Sequence, residues 1–208
     1  MAGLIYVFDA YCGWCWGFSA TMTSLADRHP ELPIDVISGG LMTGPRRRPL
    51  RDFGYIADAN ERVTRLTGAR FGKGFRKLFH QGDFVMDSEA AARAVAALRA
   101  GAEGGRMVAI TGAYQRHYFT HGNDLGAPET VRAVADEFGL DAEAVLRDYA
   151  SPGSLQAAEA DFHRAQVLGA EGFPTLLATL DGRYGVIARG AATLEQVEGT
   201  LRQNGIAA

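Results

Sequence analysis

Between Leu4 and Ser38 the hydrophobic period of the chain changes twice, and that change limits the available folds more than any other feature. Leu4-Ile5-Tyr6-Val7-Phe8 is a continuous apolar run with β-branched and aromatic members, as in a strand buried on both faces. Cys15, Phe18, Met22 and Leu25 then recur at helical spacing, and Pro30 ends the pattern. Ile34 to Ser38 reads as a second strand, closed by Gly39-Gly40. Strand, helix and strand in this length make a βαβ unit, whose two strands must run parallel.

The other end of the chain is equally legible. Thr175 to Leu180 reads as a strand, Asp181-Gly182 has the chemistry of a tight hairpin turn, and Tyr184 to Arg189 returns antiparallel. Thr193-Leu194-Glu195-Gln196 matches a capping box, opening a last helix that stops near Gly205. Between Gly40 and Gly172 the periodicity is helical. Helices are expected over Leu50–Leu66, Ser88–Ala100, Met107–Phe119, from Pro128 to before Gly139, from an Asp141 cap to before Ser151, and over Leu155–Leu168. This stretch is too long for a simple crossover and reads as a helical subdomain set between two halves of one sheet.

Length and charge narrow the function classes. At 208 residues the chain suits one domain carrying an insertion and buries a core without disulfide staples. A net charge of −3 argues against nucleic-acid binding, and no apolar run reaches the length of a membrane span. Cys12 lies so close to Met1 that a signal peptide has no room before it, so a cytoplasmic location is expected.

Both cysteines and both tryptophans fall within Tyr6–Phe18. Cys12 ends the loop after the first strand, and Cys15 falls in the first helical turn. Unpaired amides and the helix dipole favour a thiolate there, the species that attacks disulfides. Two intervening residues let one sulfur reach the other. Cys12 is thus expected to attack, and Cys15, on the inward stripe with Phe18 and Met22, to be the buried resolving thiol. A zinc site completed by His117 and His121 is the competing reading. Those histidines lie roughly a hundred residues away, against the dozen or so of a finger, so no metal is expected.

Phe-Asp-x-x-Cys-Gly-Trp-Cys-Trp-Gly-Phe, the strand–helix start and the distant Gly172-Phe173-Pro174-Thr175 together resemble the DsbA family of thiol-disulfide oxidoreductases, closest to its cytoplasmic disulfide-isomerase branch. The resemblance implies an α/β, thioredoxin-like fold with a large inserted α-helical subdomain. Residues 1–44 and 170–208 would form the discontinuous thioredoxin-like domain and 45–169 the insertion. It also implies a cis Pro174 facing the cysteines, with Phe173 and Pro174 forming a ledge for an extended substrate strand.

Trp14 is expected to be exposed, gripping unfolded polypeptide, and Trp16 mostly buried. Asp9 either tunes the thiols or caps the loop. Arg46, Arg47 and Arg48 could meet an acidic group such as a glutathione carboxylate, though a solvated loop is the preferred account of them. Gln115 and Tyr118 share one helix whose orientation is open.

The function expected is thiol-disulfide exchange with disulfide-containing or thiol substrates, polypeptides foremost. No cofactor is expected, glutathione being the one candidate co-substrate. The alternative is a glutathione-dependent transferase or isomerase of kappa-class type, against which Cys15 counts, because that chemistry needs no resolving thiol.

Overall fold

A computed structural model describes residues 3–102, 104–180 and 182–206. β1 (Gly3–Phe8) leads into α1 (Gly13–Arg28) and back through β2 (Ile34–Ser38), which pairs with β1 in parallel from Leu4↔Ile34 to Phe8↔Ser38. β3 (Thr175–Leu180) pairs antiparallel with β1, and β4 (Arg183–Arg189) antiparallel with β3, giving the order β2-β1-β3-β4. The apolar run of β1 is buried on both faces, as its composition requires. Leu4, Tyr6 and Phe8 point into the main core with Phe18, Met22 and Leu25 of α1. Ile5 and Val7 point the other way, against Ile37, Leu177 and Ala165.

The insertion contains α2 (Ile56–Thr67), α3 (Lys73–Gln81), α4 (Ser88–Gly101), α5 (Met107–Phe119), α6 (Pro128–Glu137), α7 (Ala142–Ala150) and α8 (Pro152–Val167). α8, grouped with the inserted helices by sequence, also packs on β2 and brings Ala165 to the second face of the sheet. Asp161 of α8 accepts from the Ser38 amide (3.0 Å) and pairs with Arg99 of α4 (3.1 Å), whose guanidinium also donates to the Val36 carbonyl (2.9 Å). One partly buried ion pair therefore ties two inserted helices to the sheet edge. α9 (Leu194–Gln203) closes the fold against α1 and β4. Its capping box is formed as expected: the Gln196 amide donates to Thr193 Oγ1, and the Thr193 amide to Gln196 Oε1.

Two expectations need correcting. Leu50–Leu66 is not one helix: a 3₁₀ turn spans Leu50–Asp52, and α2 begins only at Ile56. The Leu50 and Arg51 amides pair with the Phe84 and Gly82 carbonyls, at 2.9 and 3.0 Å, and the Phe53 and Ile56 amides turn back three residues to Leu50 and Phe53 (both 3.0 Å), so an i→i+4 ladder does not start before α2. α3 was missing from the sequence reading, although Phe71, Phe75 and Phe79 recur every four residues. The expected Asp181-Gly182 turn falls partly outside the described residues; Gly182 itself has φ +76°, as a tight turn there requires.

Candidate active site

The antiparallel pairing of β1 with β3 builds the site. Val7↔Thr175 register sets the chain just before β3 beside the loop just after β1. The Phe173-Pro174 peptide, which is cis, therefore faces the cysteines. The Cys12 thiol approaches the Phe173 carbonyl oxygen at 3.5 Å, across 161 positions of sequence. The Phe173 ring lies over Gly39, where an added Cβ would come within 2.1 Å of it, so glycine at the end of β2 is what lets the ledge sit down.

Cys12 is the N-cap of α1, in extended conformation, and α1 has neither a side-chain cap nor an acidic residue in its first turn. The first-turn amides thus have no competing anion and can stabilise negative charge on the Cys12 sulfur. Cys12 lies at the floor of an open cleft, 6% exposed, while Cys15 is 0% exposed. Both are free thiols. Burial first, then the adjacent Cys12 sulfur, pushes the Cys15 thiol well above its ordinary range, partly offset by the Asp9 amide, which donates to Cys15 Sγ at 3.5 Å.

Asp9 is 2% exposed and does the work of a cap: its carboxylate accepts from the amides of Tyr11 (3.0 Å) and Leu41 (2.8 Å). Burial raises its carboxyl above the ordinary value, and bonds from Leu41, Ser88 and Tyr11 oppose that shift. A carboxylate raised on folding contributes stability at low pH that is lost as pH rises through its folded value, so acid does not unfold the protein through Asp9. Asp9→Ala would strand two amides and should cost about 2–4 kcal/mol in urea denaturation, with Asp9→Asn between it and wild type. A loss under about 0.5 kcal/mol would mean that the loop repairs itself.

The cleft encloses about 230 Å³ and is walled by Tyr11, Met42, Leu50, Ile56, Phe75, Met86, Tyr118 and Phe119 besides Cys12, Trp14 and Phe173. Such a lining suits apolar side chains. Tyr118 thus lines the cleft. Gln115 does not: it is 1% exposed, and its amide donates to the Asp9 (3.2 Å) and Ala10 (3.4 Å) carbonyls, bracing the loop before Cys12. Trp14 departs from expectation, being half-buried rather than exposed, while Trp16 is largely buried as expected. Arg62 of α2 covers the Trp14 ring (5.7 Å), while Trp16 stacks on Phe119 (5.8 Å) and donates to the Arg70 carbonyl (3.2 Å). The inserted helices shelter one and only half-cover the other.

Of the three arginines, Arg46 reaches the Gly40 carbonyl (3.4 Å) and draws the Asp9 carboxyl downward, Arg47 pairs with Asp87 (2.9 Å), and Arg48 lies over Phe53 (4.9 Å). His117 and His121 face each other at 5.8 Å, and His117 bonds Asn123. Among the described residues no three His, Cys, Asp or Glu side chains converge as a metal site, so the structure does not bring these histidines to the cysteines. Sequence reasoning did not pick out Asn60 and Phe75 of the cleft wall, which depend on α2 and α3 packing.

The fold that builds this site is shared with known proteins. DsbM from Pseudomonas aeruginosa, a cytosolic disulfide reductase, superimposes with a TM-score of 0.80 at 29% identity, covering 97% of this chain and 98% of that one. Its structure with glutathione gives 0.78 at 28%, with the same coverage. A candidate protein disulfide isomerase from Nitrosomonas europaea shares the fold at 0.81 and 22% identity, covering 97% and 96%. So does 2-hydroxychromene-2-carboxylate isomerase, at 0.64 and 15%, covering 97% and 93%. Among curated proteins no sequence relative matches. The family model of the DSBA-like thioredoxin domain matches residues 4–202, almost the whole chain from β1 through α9. This protein therefore belongs to the DSBA-like thioredoxin domain family, with the thioredoxin fold and the helical insertion of its oxidoreductases.

Proposed function

We propose that this protein is a dithiol reductase of the cytosol, acting on disulfides of polypeptides and on glutathione-containing disulfides. The observation that carries the reading is the asymmetry of the pair: Cys12 at the cleft floor against the Phe173 carbonyl, and Cys15 sealed behind it. The Cys12 thiolate attacks a substrate disulfide, one substrate thiol leaves, and a mixed disulfide forms on Cys12. Cys15 then attacks the Cys12 sulfur, the second substrate thiol leaves, and two electrons have passed to the substrate. Extended substrate chain lies along Phe173 and Pro174, with apolar side chains in the cleft beside Trp14.

The reducing direction and the cytosolic location are supported by the likeness to DsbM, and glutathione by its presence with that protein. Among the described residues no helix is long and apolar enough to cross a membrane. The likeness to the chromene-carboxylate isomerase extends to fold alone.

Trp14 and Trp16 are the only tryptophans and flank the pair, so indole emission should report its oxidation. Titrated in glutathione buffers, wild type is expected to give a potential near thioredoxin's, about −270 mV. A value near −120 mV, that of a strong oxidant, would reverse the assigned direction. Absence of any reversible change, together with stoichiometric zinc binding, would overturn the oxidoreductase reading.

A further inference from the structure

Tyr6 leaves β1 on the face that α1 covers, in the same core cluster as Cys15 and Phe18. Its ring meets Phe18 edge-on (6.0 Å) and stacks on Phe8 (5.6 Å), and Phe18 lies one helical turn beyond Cys15. The residue is 2% exposed, and its hydroxyl has no hydrogen-bond partner among the described residues. Buried hydroxyls are nearly always paired, so an orphan inside a dense core calls for a reason. Cys15 and Cys12 share its core cluster, and after burial their two sulfurs are the groups that act on its hydroxyl. A neutral thiol is a weak acceptor, which explains why no ordinary bond forms in the dithiol state.

We propose that Tyr6 positions and stabilises the resolving sulfur, its hydroxyl turning to donate a hydrogen bond to Cys15 as that sulfur becomes a thiolate. The inference rests on the oxidoreductase reading and adds a residue to its second step. In that step the Cys15 thiol loses its proton to the departing substrate thiolate or to water. The Cys15 sulfur bonds to the Cys12 sulfur, and the bond from Cys12 to the substrate breaks. Negative charge on Cys15 would then be met by two donors, the Asp9 amide already at 3.5 Å and the Tyr6 hydroxyl. Burial, then the two sulfurs, hold the Tyr6 hydroxyl well above its ordinary range, so it keeps its proton and acts as a donor rather than an acid.

The titratable groups that act on Cys15 are Cys12 at the head of its own helix and Asp9 from the loop, and Cys15 in turn acts on Tyr6 from β1. Arg46 acts on Asp9 in turn, Asp9 acts on Tyr114 of α5, and Gln115 of α5 is uncharged. Losing the Tyr6 donor should therefore bear on Cys15 directly.

Reaction of the reduced full-length protein with Ellman's reagent separates the two steps. The first equivalent of thionitrobenzoate reports attack by Cys12, and the second reports resolution by Cys15. In Tyr6→Phe the first phase should keep its rate. The second should slow about tenfold, the loss expected for a hydrogen bond to a charged group, and its pH midpoint should rise. A purely structural role would not move that midpoint. An unchanged second phase in folded Tyr6→Phe, or equal slowing of both phases, overturns the proposal. Site-specific 3-fluorotyrosine at position 6 keeps the ring and makes a stronger donor, so it should lower the midpoint; no movement likewise counts against it. Wild type that releases no second equivalent overturns the oxidoreductase reading itself, a result visible without any Tyr6 variant.

Discussion

Cys15→Ser protein mixed with a disulfide substrate and run on a gel without reductant should migrate as a covalent adduct that dithiothreitol releases. Cys12→Ser should form no adduct and should reduce insulin no faster than background. The difference follows from position alone. Cys12 lines the open cleft and caps a helix whose first amides have no other anion to serve. Cys15 has no exposed surface and can reach only what is already attached to Cys12. Removing the resolving thiol halts the reaction after its first step, with the substrate held on the enzyme. Equal trapping by both variants, assayed by mass spectrometry of the intact adducts, would overturn this division of labour.

A large effect on stability is also expected at Gly74. A Cβ there would lie 1.8 Å from the His121 carbonyl oxygen and 2.2 Å from its carbon. Gly72 and Gly122 are confined in the same way, against Thr120 and Gly74 respectively, and the Gly72 amide donates to the Phe119 carbonyl (2.8 Å). This is backbone against backbone, so no side chain can rotate aside to make room. Gly74→Ala should cost about 3 kcal/mol, read as a lower urea midpoint, because α3 must move off α5. The control is Gly112, within α5, where an added Cβ would meet nothing within 4 Å. Gly112→Ala should stabilise by about 0.5–1 kcal/mol through helix propensity. A Gly74→Ala protein as stable as wild type would mean that the α3 approach is looser than described.

Much of the site was legible in sequence because local signals governed it. The placement of Cys12 before α1 and Cys15 within it follows from a period change that side-chain burial enforces along a short stretch. Thr193 and Gln196 cap α9 through bonds that span three residues, which is why their spacing was enough. Where a segment's backbone pairs far away, the same logic failed. Leu50 to Tyr55 looked helical, yet Leu50 and Arg51 are bridged to Phe84 and Gly82, and the chain there closes into tighter i→i+3 turns. Trp14 departs from its expected exposure for a related reason, since its cover comes from Arg62 on another element.

By itself, then, the sequence determined the βαβ start, the closing hairpin strands and final helix, and a pair of thiols at a helix N-terminus. Only the tertiary structure decided what surrounds those thiols. It brings the Phe173 carbonyl to Cys12, the Asp9 carboxylate to the Leu41 amide, Gln115 to the loop carbonyls, and Tyr6 into one core cluster with Cys15. Periodicity and turn chemistry report which face of an element is buried. Which distant group it is buried against depends on how the sheet register and the inserted helices bring the elements together, and no local pattern carries that.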